Sequence, residues 1–122
     1  MVRNARPDGV VMRGMQSALA KVRALDGKVI EDAIVGCSVP EGEQGLNMAR
    51  MVVLMAGLPK SVGGATVNRY CASGLTALAI AADRIRVGEA DAMIAAGAGS
   101  RSLVPRRSRI AARSLAGLSG RV

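Results

Sequence analysis

The sequence predicts an α/β layer fold in which helices cover most of a sheet. Segments with the apolar spacing of amphipathic helices alternate with short apolar runs typical of buried strands. Half of the residues are hydrophobic but only 1% are aromatic, so the core must consist of aliphatic side chains and methionine. Small side chains of this kind favour helices packed closely on a sheet. A chain of 122 residues can form one domain with a real core and is too short for two.

The first half of the chain contains a predicted helix, a strand and a second helix. The first helix is expected from Val10 to Leu25, with Asp8 as its cap, and its apolar face consists of Val11, Met15, Ala18, Leu19 and Val22. A strand is expected over Asp32 to Ser38. The second helix, over Gln44 to Ala56, is apolar almost all round, which predicts burial on several sides.

The second half repeats the alternation of strand and helix. "ATVNR", residues 65 to 69, predicts a short strand, and Cys71 to Val87 predicts a helix. "DAMIAAGA", residues 91 to 98, has the unbroken apolar pattern of a strand covered on both faces. Because a helix comes first, we expect a further strand upstream of Met1.

Cys71 is the candidate for chemistry. At the first turn of a helix, the positive end of the helix dipole favours the thiolate, which is the nucleophilic form of cysteine. Ser73 and Gly74 would keep that turn slim enough for a substrate carbonyl, and the backbone N–H of Cys71 could donate to an oxyanion. Local composition leaves open the alternative of a buried cysteine that acts as a small hydrophobe. Cys37, inside the predicted strand "IVGCSV", is expected to be such a core residue.

Several other kinds of site are excluded by residue content. The chain contains no histidine, so a complete Cys–His enzyme within these residues is excluded. "GAGSRS", residues 97 to 102, lacks the third glycine of a dinucleotide-binding loop, and no acidic residue follows it. No spacing of ligating residues suggests a metal. The methionines at 48, 51 and 55 are expected to fill gaps in the core.

The net charge of +8 comes mainly from the C-terminal segment. Residues 101 to 122 contain six arginines and no acidic residue. We expect residues 102 to 122 to be disordered or aberrant. A basic nucleic-acid-binding arm is the weaker alternative, because no aromatic residues are interleaved for base stacking. The apolar runs are too short for a membrane span, and two cysteines do not make a disulfide framework, so a cytoplasmic protein is expected.

Three stretches of the sequence resemble the thiolases, the acyl-CoA acetyltransferase family. "TVNRYCASGLTALAIAADRIRVGEADAMIAAGAGS" resembles their nucleophile strand, the helix after it and the following strand. "PEGEQGLNMAR", residues 40 to 50, resembles the segment before the buried helix of degradative thiolases, and "RNARPD" resembles the loop after their first strand. The resemblance covers roughly residues 3 to 105.

The resemblance implies a layered α/β/α unit that is the N-terminal half of a five-layered, two-half fold. Residues 1–101 would form a partial thiolase N-terminal domain without its first strand, and residues 102–122 an arginine-rich tail. Cys71 would be the nucleophile that accepts an acyl group from acyl-CoA, in 3-ketoacyl-CoA thiolysis or acetyl-CoA condensation. The activating histidine and a second, acid/base cysteine would come from the other half. No cofactor is implied beyond the CoA of the substrates.

The resemblance also bears on partners and on activity. The intact enzyme would be a homo-oligomer, a dimer or tetramer, with Asn68 and Arg69 at its interface. Gly99 and Arg101 depart from the family pattern, where glutamate and methionine are usual. We expect this chain alone not to complete the reaction. Two alternatives remain, a non-catalytic module that pairs with a thiolase and a relative of the ketoacyl synthases.

Overall fold

A computed structural model describes residues 5–100, so the arginine-rich segment lies outside the described residues. Three helices alternate with three strands, which confirms the α/β class. In chain order the elements are α1 Pro7–Lys21, β1 Ile30–Cys37, α2 Met48–Met55, β2 Ala65–Val67, α3 Ser73–Arg86 and β3 Ala92–Ala98.

The strands form one parallel sheet in the order β2-β1-β3. Successive side chains of a strand point to opposite faces of the sheet. On β1, Val35 and Cys37 point toward α1 and α2 and belong to the main core, whereas Gly36 points toward the start of α3. The sheet therefore lies between α1 and α2 on one face and α3 on the other, which is an α/β/α layering. All three strands direct their carboxyl ends to the same edge.

The main core lies between the sheet and the helices α1 and α2. It contains no aromatic side chain, as the composition predicts, and its fully buried members include Val35, Val52, Val53 and Val62. Cys37 is fully buried there, so its predicted core role is confirmed. This burial raises the pKa of the Cys37 thiol, because a thiolate would lose its hydration.

Helix α1 begins and ends earlier than predicted. Pro7 occupies its first turn, where the missing N–H of proline is no loss, and the predicted cap Asp8 lies inside the helix. Asp8 instead accepts hydrogen bonds from the Gly9 amide and from the Arg6 guanidinium. The helix ends at Lys21, so the predicted stretch to Leu25 is wrong. Of the predicted apolar face, Val11 and Met15 are buried, Leu19 is half-buried, and Ala18 and Val22 are exposed.

Helix α2 begins four residues later than predicted. Gln44 ends a separate 3-10 turn, Gly42–Gln44. Leu46 then adopts a left-handed conformation with φ of 58°, which interrupts any continuous helix. Asn47 caps the new start by accepting a hydrogen bond from the Arg50 amide. The predicted burial all round is also wrong, because Met51, Leu54 and Met55 are exposed.

The remaining elements follow the prediction within a few residues. Strand β1 starts two residues earlier than predicted, and β2 ends at Val67 rather than at residue 69. Strand β3 lies within a residue of its predicted range, but it is not covered on both faces. It is an edge strand, and its Ala95 and Gly97 are exposed.

Candidate active site

Cys71 lies in the loop that joins β2 to α3, at the carboxyl edge of the sheet. Its side chain is exposed, which contradicts the alternative of a buried cysteine in the core. The position differs from the prediction in one respect. Helix α3 begins at Ser73 with Ala72 as its N-cap, so Cys71 precedes the first turn instead of occupying it.

The residue before Cys71 has an unusual backbone conformation. Tyr70 has φ of 50°, in the left-handed region that non-glycine residues rarely adopt. The side chain of Asn68 holds this conformation, because its Oδ1 accepts a hydrogen bond from the Tyr70 amide at 2.9 Å. Such a turn, in which an asparagine bonds the amide two residues ahead, is a common way to stabilise a reversal. Backbone strain at this point is the kind found at functional sites, where the surroundings determine the geometry.

Ser73 closes the same loop from its other end. It is almost fully buried. Its hydroxyl accepts a hydrogen bond from the Arg69 amide at 2.9 Å and donates one to the Tyr70 carbonyl at 2.6 Å. The Ser73 amide donates to the same carbonyl at 3.1 Å. Cys71 is thus presented at the tip of a loop whose two ends are fixed by side chains.

A glycine of the neighbouring strand sets the position of the whole loop. A Cβ at Gly36 would lie 2.6 Å from the Gly74 amide nitrogen and closer still to the Ser73 carbonyl group. Only glycine at this point of β1 lets the first residues of α3 rest directly on the sheet. Ala77 and Ala81 continue this close contact along the buried face of α3.

The loops after β1 and β3 are tied to the Cys71 loop. Asn68 Nδ2 donates to the Ser38 carbonyl at 3.2 Å. The buried side chain of Gln44 bonds both Val39 and Ser100. The three strand-end loops therefore form one connected layer at the carboxyl edge of the sheet, where open parallel sheets bind their ligands.

The described residues limit what this edge can do by itself. Residues 5–100 contain no group of three or more side chains suited to hold a metal. An open pocket of about 290 Å³ lies beside the end of β3, and Cys71 is not among its lining residues. No helix within that part of the chain is long and apolar enough to cross a membrane. What the site offers is an exposed thiol on a loop that hydrogen bonds hold in place.

The sequence predicts Cys71 as the candidate nucleophile but does not predict the residues that hold its loop. The left-handed Tyr70 has no sequence signature of its own, although an asparagine two residues upstream is typical of this turn. A lone glycine inside an apolar strand, as in "IVGC", indicates close approach of another backbone and could have pointed to Gly36. The sequence alone predicts for Gln44 only the start of a helix.

An α/β/α layer with an exposed cysteine at a strand-to-helix loop is the arrangement expected of a thiolase N-terminal domain. The chain belongs to the thiolase family, since residues 1–121 match the family model described as "Thiolase, N-terminal domain".

Individual thiolases match most of the chain. It is 45% identical over 111 residues to the 3-ketoacyl-CoA thiolase of Bacillus subtilis (strain 168), covering 91% of this chain and 28% of that protein. It is 43% identical over 102 residues to the 3-oxoadipyl-CoA/3-oxo-5,6-dehydrosuberyl-CoA thiolase of Escherichia coli (strain K12), covering 84% of this chain and 25% of that protein. The chain spans about a quarter of the length of these relatives.

Proposed function

We propose that Cys71 is the acyl-accepting nucleophile of a thiolase-type acyltransferase that acts on 3-ketoacyl-CoA thioesters. The observation that supports this role most strongly is the presentation of Cys71. Its thiol is exposed at the tip of a loop that Asn68 and Ser73 fix, beside the start of a long helix. A core cysteine would need none of these features. The substrate class follows the printed names of the relatives, which are thiolases of 3-ketoacyl-CoA and 3-oxoadipyl-CoA.

The proposed chemistry is acyl transfer through a thioester on Cys71. The Cys71 thiolate attacks the 3-keto carbonyl of the substrate, and a carbon–sulfur bond forms. The carbon–carbon bond to C2 then breaks, and acetyl-CoA leaves after C2 takes up a proton. Attack by the thiolate of free CoA on the new thioester returns the Cys71 thiolate and releases the shortened acyl-CoA. We propose that the backbone N–H of Cys71 donates a hydrogen bond to the developing oxyanion during each attack.

The chain supplies the nucleophile for this cycle but not its base. It contains no histidine, and Cys37, its one other cysteine, is buried. The family resemblance assigns proton transfer at C2 to a second cysteine, so we propose that this group comes from outside the chain. Transfer of an acyl group from one thiol to another involves no proton transfer at carbon. Acetylation of Cys71 by acetyl-CoA is therefore the half-reaction that we expect the chain to perform by itself.

This division of steps gives a two-part experiment. The chain is incubated with acetyl-CoA, and peptide mass spectrometry locates any acetyl group. We expect one acetyl group on Cys71 and none on Cys37, and Cys71→Ser should abolish it. With acetoacetyl-CoA and CoA, we expect no sustained formation of acetyl-CoA. Acetylation of Cys37 to the same extent as Cys71, or none on Cys71, would refute the proposed role.

A second candidate function, a module that pairs with a thiolase, is supported by the outer face of α3. Leu75, Leu78 and Ile85 on this helix are 74%, 56% and 44% exposed, and an apolar stripe of this kind is unusual on a monomer surface. In the five-layered fold that the family resemblance implies, a second half would cover such a face. Co-purification with a thiolase partner that Leu78→Arg abolishes, together with unreactive Cys71, would favour this function over catalysis.

A further inference from the structure

Gln44 is a buried amide that the proposed chemistry does not use. Its side chain is almost fully enclosed at 1% exposure. Nε2 donates to the Val39 carbonyl at 2.6 Å and to the Ser100 carbonyl at 3.0 Å, while Oε1 accepts from the Ser100 amide at 2.9 Å. The hydrogen-bond partners of Gln44 lie in two separate loops and not in the core. A buried polar side chain with such partners holds the two loops together.

The loop that Gln44 holds is also the support of the Cys71 loop. Val39 follows Ser38, whose carbonyl accepts the Asn68 side-chain amide. The second polar atom of the Asn68 side chain, Oδ1, accepts a hydrogen bond from the Tyr70 amide and so stabilises the left-handed turn next to Cys71. A continuous series of hydrogen bonds and peptide units thus runs from Gln44 to Tyr70.

We infer that Gln44 is a positioning residue for Cys71, which it controls through the β1 loop, Asn68 and the Tyr70 turn. The inference rests on the proposed role of Cys71 as nucleophile. Without the amide of Gln44, the segment Ser38–Val39 loses its anchor and Asn68 loses a fixed acceptor. The left-handed conformation of Tyr70 is strained, so it relaxes when its surroundings no longer impose it. Cys71 then loses its fixed orientation.

The composition of the chain provides a direct probe of this turn. Tyr70 is the chain's one tyrosine, and the chain has no phenylalanine, tryptophan or histidine. In D₂O, where the exchangeable side-chain amide and guanidinium protons are replaced by deuterium, the aromatic region of a proton NMR spectrum therefore reports on Tyr70 alone. A role of Gln44 restricted to the loops at Val39 and Ser100 would leave these signals unchanged.

The experiment compares Gln44→Met with Gln16→Met in the full 122-residue chain. Gln16 is a matched control, because it is exposed and its Nε2 donates to the Ala56 carbonyl at 3.3 Å, away from the site. We expect Gln44→Met to move the Tyr70 ring signals toward their positions in the urea-unfolded chain. We also expect the rate of Cys71 acetylation by acetyl-CoA, relative to its alkylation by iodoacetamide, to fall about tenfold. Gln16→Met should change neither quantity.

Gln44→Glu provides a second test in case the methionine variant does not fold. The introduced carboxyl group is a hydrogen-bond donor only when protonated, and burial favours its protonated form, so spectra are recorded from about pH 5 to about pH 9. The Tyr70 signals should be displaced at the alkaline end of this series and return toward the wild-type positions in acid. The wild-type chain, measured over the same pH range, corrects for any other titration.

The outcomes separate this inference from the proposed function. If wild-type Cys71 is not acetylated, the proposed function fails, and the Tyr70 signals still decide whether Gln44 holds the turn. A folded Gln44→Met chain with unchanged Tyr70 signals and an unchanged rate ratio would overturn the positioning role. So would equal effects of Gln16→Met, or Tyr70 signals in Gln44→Glu that stay at the wild-type positions throughout the pH series.

Discussion

Replacing Gly36 by alanine tests whether close packing of α3 on the sheet sets the geometry of the site. The added Cβ would lie 2.6 Å from the Gly74 nitrogen, closer than real carbon contacts. The obstructing atoms belong to the backbone of Ser73 and Gly74, so no side-chain rotation can relieve the overlap. The start of α3 must therefore move away from β1.

The size of the effect follows from that distance. Ordinary contact begins near 3.4 Å, and the Ser73 carbonyl is nearer than the Gly74 nitrogen, so the start of α3 must shift by roughly 1 Å. Overpacking of a tight contact costs about 1–3 kcal/mol, and a backbone obstruction places Gly36→Ala near 3 kcal/mol. A shift of about 1 Å in a reacting group lowers a rate by about 10²-fold, which gives the expected loss in Cys71 acetylation.

The assay is urea unfolding followed by far-UV circular dichroism. With a urea m-value of about 1–3 kcal/mol/M, the predicted loss lowers the unfolding midpoint by about 1–3 M. Gly97→Ala is the matched control, because its Cβ would meet the Gly74 Cα at 3.6 Å, an ordinary contact. That control should stay within about 0.5 kcal/mol of the wild-type chain.

Two results would refute the reasoning. A Gly36→Ala chain as stable as Gly97→Ala would show that α3 does not rest on β1 at this point. A destabilised Gly36→Ala chain with unchanged Cys71 acetylation would show that the contact supports the fold without setting the geometry of the nucleophile.

Three further predictions concern helix α1, the Arg6–Asp8 pair and the buried thiol. Gly14→Ala should stabilise the chain by about 0.5–1 kcal/mol in urea unfolding, because the site in α1 has open space and alanine favours a helix; an unchanged or lowered midpoint would contradict this. The Arg6 guanidinium lowers the pKa of Asp8 below its unfolded value of about 3.9, so the stability from this pair is present above about pH 4 and is lost as pH falls through the folded value. Asp8→Asn should lower the free energy of unfolding at pH 7 and should reduce the further loss of stability in acid. Urea titrations of the variant and of the wild-type chain at pH 7 and pH 3 measure this loss, and an equal loss in both chains would contradict the prediction. Burial raises the pKa of Cys37 above its unfolded value of about 8.5. The buried thiol therefore contributes fully to stability below that pH, and this contribution is lost as pH rises through the pKa of Cys37 in the folded chain. Cys37→Ala should therefore lose less stability than the wild-type chain between pH 7.5 and pH 10, and an equal loss would contradict the assignment.

Much of the fold could be predicted because the spacing of apolar residues and the local composition determine the larger helices and strands. The apolar runs of β1 and β3 and the helical spacing of α3 fixed these elements to within two residues. The errors arose where a local conformation overrode the pattern. Leu46 in the left-handed region divides a continuous apolar pattern into a 3-10 turn and a shorter helix.

Of the candidate site, the sequence predicts only the proposed nucleophile. The family resemblance indicates Cys71, whereas local composition alone leaves open a cysteine of the core. Gly36 and Gln44 act through contacts between segments distant in sequence, such as the bonds from Gln44 to Ser100. Without the register of the parallel strands, no pattern in one sequence reveals such pairs.

The central claim is that the fold activates Cys71 for acyl exchange, and the rate of its acetylation tests that claim most directly. Acetyl-CoA is added to the native chain and to the chain in urea, and acetylation of Cys71 is followed by mass spectrometry at one pH. We predict that Cys71 reacts at least about tenfold faster in the native chain, while Cys37 reacts only in the unfolded one. An equal or slower rate at Cys71 in the native chain would contradict the account.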